Sequence, residues 1–226
     1  MVKKFRWTKS YRLISSIYPT RSIYDRISDP RDFQAVLALE ALTNPRVLLE
    51  GGDFRKVRPE DRISGPNTTP IMASFAYSAA SRFSDGSYGV YYASHDLETA
   101  QYESRYHTEK FLRENHETAG VFDKRVYVAT IGGMYDDLTD KTMRSRLYDP
   151  LDYTASQQYG AKLYAANVVD GVVYNSVRRK GGACVAAFRP RLITRCRLEG
   201  YLQFRWDGAR ITQSHRVTKL QSFPEE

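Results

Sequence analysis

Histidine and cysteine are scarce in this chain, four and two among 226 residues, and neither is arranged for the chemistry it usually carries. Cys184 and Cys196 form no CxxC pair, and Cys184, inside an apolar run, reads as a small core residue. His95, His107, His116 and His215 show no metal-ligand spacing, so no metal site is expected. No stretch of about 18 apolar residues is present, which excludes a membrane-spanning helix. The N-terminus is basic but no apolar segment follows it, so no signal peptide is expected. These absences together point to a reduced, cytoplasmic protein. Also missing are a P-loop, a GxGxxG opening a Rossmann unit and a GxSxG nucleophile elbow.

Acidic residues are in the minority: 26 against 34 Lys and Arg, a formal net charge of +8. That balance favours an anionic partner such as a phosphate-bearing ligand, an acidic protein or nucleic acid. The basic residues are scattered, however, and no helix-turn-helix or RNA-binding signature accompanies them, so direct DNA binding is not expected as the main activity. By charge alone, a non-catalytic basic module binding nucleic acid or an acidic protein stands as the alternative to an enzyme. Aromatic residues reach 13%, with 17 tyrosines, suiting either a β-rich core or a site that stacks on rings.

Taken in order, the pattern predicts a loose basic arm over residues 1–9 and a strand from Tyr11. Asp29-Pro30 starts a helix carrying Phe33, Val36, Leu37 and Ala41. A strand is expected over 71–77, and another over 90–93. A helix from Leu97 carries Ala100, Ser104, His107 and Phe111 on one face, capped by Ser94 or Asp96. Further strands are expected at 125–131, 163–168, 171–174 and 183–188, with helices over 138–147 and 150–160. Segments 198–206 and 210–213 form a hairpin around Asp207-Gly208. The class is α+β, a mostly β core with helices to one side, in a single domain over 1–226.

The stretch from Arg82 to His107 organises the rest. A polar glycine turn, a short aromatic strand and a helix start bring Arg82, Tyr92 and Glu103 towards a common region. On residue types alone, Arg82 and Glu103 make a structural ion pair, Tyr92 a core residue and Ser176 a turn residue.

The same residues resemble the signature of the RES-domain toxins. Here it runs Arg82-Phe83, Gly86, Gly89-Val90-Tyr91-Tyr92-Ala93-Ser94, Thr99-Ala100 and Glu103. A further segment reads Gly171-Val172-Val173-Tyr174-Asn175-Ser176-Val177-Arg178, then Gly181-Gly182-Ala183-Cys184-Val185, with Asn175 where the family commonly has proline. Tyr11-Arg12-Leu13 matches the family's N-terminal aromatic–arginine pair, and against the shorter members of the family the segment at about 24–78 looks like an insertion between the two signature arginines. The resemblance implies a split β-sheet core with flanking helices, similar to the diphtheria-toxin type of ADP-ribosyltransferase. It implies NAD as a substrate rather than a bound cofactor, with water, phosphate or a protein target accepting the ADP-ribose. It also implies a cognate Xre-type helix-turn-helix antitoxin.

Cleaving the nicotinamide–ribose bond builds positive charge on the ribose, so a carboxylate must stand near it. Glu103 is assigned that part by the resemblance, with Ser176 and Tyr92 completing the catalytic set. Arginine forks suit the pyrophosphate. Arg12 and Arg82 are the candidates, with Arg21 close enough in sequence to compete with Arg12.

Overall fold

The computed structural model describes residues 1–18, 23–26, 29–32, 35–36, 53, 56–140 and 145–218. The helix expected after Asp29-Pro30 lies mostly outside the described residues, as does Arg21. Seven strands form one sheet in the order β1-β2-β5-β4-β3-β6-β7. They are β1 (Val2–Ser15), β2 (Tyr91–Ser94), β3 (Gly120–Asp137), β4 (Gly171–Asn175), β5 (Ala183–Ala187), β6 (Ile193–Trp206) and β7 (Ile211–Val217). The described helices are α1 (Ile23–Arg26), α2 (Thr69–Ala76), α3 (Leu97–Glu114) and α4 (Thr154–Ala166). The expected α+β class with a split sheet is what the chain adopts.

The split originates at β3. Along one edge it pairs with β1 from Lys124 to Asp136. Its other edge is shared: β6 takes the N-terminal part and β4 joins in parallel at Tyr135, Asp136 and Asp137. Beyond them β5 bridges β4 and β2, and β2 returns to β1 through Tyr11 and Ser94. Five strands therefore close on one another, and the β6–β7 hairpin extends from the gap.

Four expectations are corrected here. Residues 2–9 are not a loose arm but half of β1. Phe5 and Trp7 alternate inwards, and Phe5 meets Tyr135 at 5.1 Å between ring centroids. Residues 69–76 are a helix, not a strand. Its N-terminal amides are satisfied from outside, since the Asp25 carboxylate accepts from the Thr68 N–H at 2.9 Å and the Thr69 hydroxyl at 2.5 Å. The strand expected over 163–168 is instead the end of α4, closed by Asn167 in the left-handed region at φ 57°. Gly160 does not end that helix: a Cβ there would lie 2.2 Å from the Phe83 carbonyl oxygen, so its smallness lets helix and turn touch. Around 138–147, the described residues carry only a 3₁₀ turn, Ser145–Tyr148.

The core has two main parts. Tyr91, Ala93, Ala129, Ile131, Val173 and Val185 pack with Tyr24, Val57, Met72 and Phe75 from the described part of 24–78. Phe83, Tyr88, Val172, Tyr174, Cys184 and Ala186 form the second, against Tyr92 and α4. A third, smaller cluster of Leu112, Phe204, Trp206 and Ile211 seats α3 on the hairpin. No helix among the described residues is long and apolar enough to cross a membrane.

Candidate active site

Helix α3 begins at Asp96, whose carboxylate accepts from both the N–H and the hydroxyl of Thr99 at 2.8 Å. Ser94, the other capping candidate, stays in β2, buried, with its Oγ 3.6 Å from Cys184 Sγ. The stripe that faces the sheet is Thr99, Ala100, Thr108 and Leu112. The expected stripe is thus rotated by about one residue: Phe111 is 51% exposed and Leu112 1%. The apolar socket offered by Phe204, Trp206 and Ile211 takes Leu112, and no short-range pattern announces that socket.

With this rotation Glu103 points at the turn after β4. The Ser176 hydroxyl donates to Glu103 Oε1 at 2.5 Å, a short charge-assisted bond. The same Oγ accepts from the backbone N–H groups of Arg178 and Arg179 at 3.1 and 3.0 Å, so the hydroxyl is polarised towards the carboxylate. A tight turn fixes it: the Ser176 N–H donates to the Gly182 carbonyl at 2.8 Å, and Gly181 takes φ +79°. Arg179 fastens the turn to the start of α3, donating to Glu98 at 2.5 Å and to the Thr99 hydroxyl at 3.2 Å. Cys184 Sγ lies 3.8 Å from Glu103 Oε1. Burial, and then Glu103 itself, pushes that thiol up to about 12, leaving it neutral and without nucleophilic character.

Tyr92 and Arg82 meet at the neighbouring turn. The Tyr92 phenol donates to Ser81 Oγ and accepts from the Phe83 N–H, both at 2.9 Å, and burial raises its pKa to about 12. It therefore holds the residue on either side of Arg82. Arg82, 7% exposed, donates through Nη1 to the carbonyls of Leu147 and Asp149 at 3.1 and 3.0 Å. Its guanidinium lies 4.4 Å from the Tyr153 ring centroid, and its Nη2 is buried with no hydrogen-bond partner. Among the described residues Arg82 makes no ion pair with Glu103, so the structural-pair reading of the two falls. Tyr174 is buried beside Glu103, Tyr92 and Arg82, and desolvation raises its pKa well above the usual tyrosine range.

Arg12 is the predicted residue not brought to this group. Tyr11, Ser94, Cys184 and Tyr174 are partners across successive strands and so share one face, the face on which Glu103 sits. Arg12, one residue on, belongs to the opposite face. Its guanidinium lies 4.8 Å from the Tyr91 ring centroid, its Nη1 donates to the Tyr92 carbonyl at 2.9 Å, and its Nε is buried without a partner.

Sequence reasoning missed three residues that surround the pair. Arg178 donates through Nη2 to the Pro150 carbonyl at 2.5 Å and to the Tyr153 hydroxyl at 3.1 Å, and its guanidinium carbon stands 3.3 Å from the Tyr106 ring centroid. Tyr106 could have been found, since it follows Glu103 by three residues and so shares its flank of the helix. Tyr153 carried no short-range signal. His107 is exposed on one side and crowded on the other. Desolvation there, followed by Arg178, Lys110 and Arg82, lowers its pKa to about 4, so it is a neutral imidazole at pH 7. A groove of about 370 Å³ lies elsewhere, lined by Arg6, Trp7, Lys9, Tyr11, His95 and Leu97; none of the site residues lines it.

Fold and site together define an α+β protein with a helix-borne carboxylate bonded to a turn serine beneath two tyrosine-stacked arginines. The chain belongs to the RES domain family, whose model matches residues 59–207 and so spans Arg82, Tyr92, Glu103 and Ser176. It is similar to the uncharacterized protein y4oC of Sinorhizobium fredii (strain NBRC 101917 / NGR234), 26% identical over 212 residues, covering 89% of this chain and 84% of that one. It is also similar to a chain in the crystal structure of the M. tuberculosis MbcT-MbcA toxin-antitoxin complex. There the identity is 12% and the TM-score 0.42, with 91% and 88% of the two chains covered, a likeness too loose to define the fold.

Proposed function

We propose that this RES-domain protein is the toxin of a toxin–antitoxin pair and that it consumes NAD by cleaving the nicotinamide–ribose bond. The observation that carries the reading is the Glu103–Ser176 bond at 2.5 Å, which fixes one carboxylate oxygen and leaves the other for substrate. As the C1′–N bond breaks, its electron pair goes to the nicotinamide nitrogen, and the cationic pyridinium leaves as neutral nicotinamide. The positive charge that develops on the ribose faces the Glu103 carboxylate, whose free oxygen also accepts from a ribose hydroxyl. Ser176 keeps Glu103 oriented, and Tyr92 keeps the Arg82 turn in place. Water, phosphate or a protein side chain then bonds to C1′ and gives up its proton to bulk water. NAD is a substrate here, and no resident cofactor is invoked.

Incubating the pure protein with NAD, alone, with phosphate and with lysate, tests this directly. Nicotinamide release is expected, and the accompanying product (ADP-ribose, its phosphorylated form or a labelled protein band) identifies the acceptor. Intact NAD under all three conditions refutes the enzyme reading. If the protein instead binds DNA or RNA with an affinity that falls steeply with salt, the basic-module alternative takes its place. Such a toxin acts in the cytoplasm, where NAD is, and needs an antitoxin. An Xre-type helix-turn-helix partner that inserts a segment over Glu103 competes with substrate and carries the DNA binding itself.

A further inference from the structure

We propose that Arg178 joins Arg82 as the second arm of the seat for the diphosphate of the dinucleotide, and that the carbonyls of Leu147, Asp149 and Pro150 with the Tyr153 hydroxyl fill this seat until the diphosphate displaces them. This rests on the NAD reading above and assigns Arg178 to it. Both guanidiniums spend their hydrogen bonds on one short stretch: Arg82 on the carbonyls of Leu147 and Asp149, Arg178 on the carbonyl of Pro150 and the hydroxyl of Tyr153. All four acceptors are neutral. Among the described residues no carboxylate pairs with either arginine. Asp149, the nearest acid in the stretch, turns its carboxylate to the N–H groups of Leu151 and Asp152 instead.

Each arginine also keeps one buried N–H with no acceptor, Nη2 of Arg82 and Nε of Arg178. Orphaned charged donors of this kind call for an acceptor that the chain does not supply. Tyr153 joins the two: its ring centroid lies 4.4 Å from the Arg82 guanidinium and its hydroxyl 3.1 Å from Arg178 Nη2, so one side chain spans the gap between the cations. A ligand with two adjacent negative groups answers both at once. Phosphate oxygens form stronger, charge-assisted bonds than carbonyls, and the planar fork takes two of them. The exchange of acceptors therefore favours the diphosphate and frees the 147–153 backbone.

The seat is also at a fitting distance from the chemistry. Arg178 lies two residues after Ser176, and Tyr106, on which its guanidinium stacks, lies one turn after Glu103, about 4.5 Å along the helix. That leaves room for one ribose between carboxylate and diphosphate.

The test uses the whole chain with Arg178→Gln and Arg178→Lys, each first checked by thermal melt. For NAD, Arg178→Gln is expected to raise KM by about 10- to 100-fold, the range for one lost charged hydrogen bond, with kcat little changed. Arg178→Lys keeps the charge without the fork and falls between. A second measurement is independent of catalysis: hydrogen exchange of the 147–153 amides with inorganic pyrophosphate added. Pyrophosphate is expected to speed exchange there in the natural protein and not in Arg178→Gln. If that holds while no nicotinamide is ever released, the seat stands and the NAD reading falls. If nicotinamide is released but KM and pyrophosphate-dependent exchange are unchanged in both variants, the seat is wrong and the NAD reading survives.

Discussion

Ser176 reaches Glu103 because its Oγ is held from behind by two backbone N–H groups, an arrangement that depends on the turn rather than on the serine. The two residues therefore differ in what their loss does. Glu103→Gln keeps size and polarity but removes the charge that meets the ribose cation, so turnover is expected to fall by orders of magnitude with KM for NAD nearly unchanged. Ser176→Ala leaves the charge and loses one orienting bond, so its effect on kcat is expected to be smaller. A folded Glu103→Gln protein with near-normal turnover would refute the assignment. Arg12 is expected to behave otherwise. Wedged beside Tyr91 and bonded to the Tyr92 carbonyl, it braces β1 against β2. Arg12→Met is expected to cost about 1.5–3 kcal/mol of stability in denaturant melts, with KM for NAD little changed. A folded variant of normal stability with a raised KM would return Arg12 to the substrate site.

At the level of elements, two contacts carry consequences. Helix α4 touches the Arg82 turn at Gly160, where a Cβ would meet the Phe83 carbonyl oxygen at 2.2 Å. Gly160→Ala removes helix-disfavouring glycine yet forces helix and turn apart, so a net loss of about 1–3 kcal/mol is expected, with NAD turnover falling alongside. A variant at least as stable as the natural protein contradicts this packing. The second contact is Lys124 on β3, which is buried with its ammonium 5.9 Å from the Phe204 ring centroid and no carboxylate partner among the described residues. Desolvation lowers its pKa from 10.5 to about 8. Protonated below that value, it weakens the native state relative to the unfolded chain. Stability recovers as pH rises from about 8 towards 10.5, because the unfolded lysine still binds a proton there and the folded one does not. Lys124→Met is therefore expected to gain about 1–3 kcal/mol at pH 7, and the gain to shrink across pH 8–10.5. Melts at pH 7 and pH 10 check both size and direction.

On the scale of the molecule, a net charge of +8 serves an anionic substrate and an acidic covering partner equally well, so charge alone names neither. Toxicity separates them. Expressing this chain alone is expected to arrest growth and lower cellular NAD, expressing Glu103→Gln is expected to do neither, and co-expression of the antitoxin is expected to rescue growth and yield a stable complex. Unrestrained growth with the active chain at high level contradicts the toxin reading.

The sequence by itself determined that Arg82, Tyr92 and Glu103 lie on one loop–strand–helix unit. The turn, strand and helix start that carry these three residues were legible as short-range patterns, whereas a chemical part for them and for Ser176 came only from the resemblance to a known signature. The class was legible too, since alternation and helical spacing follow from neighbours a few residues apart. Three things were decided only by tertiary structure. Residues 2–9 are a strand because β3, more than a hundred residues on, offers an edge to pair with. The first turn of the helix over 69–76 is capped from Asp25, more than forty residues back, while the Thr68 side chain makes no capping bond. The Arg12 side chain lies on the face opposite Glu103 because strand register decides which face a side chain occupies, and register is set by partners distant in sequence. Pairing and capping across long separations leave no periodic trace in the segments that receive them, and for that reason the contacts that gather Tyr153 and Tyr106 around Arg178 came into view only with the folded chain.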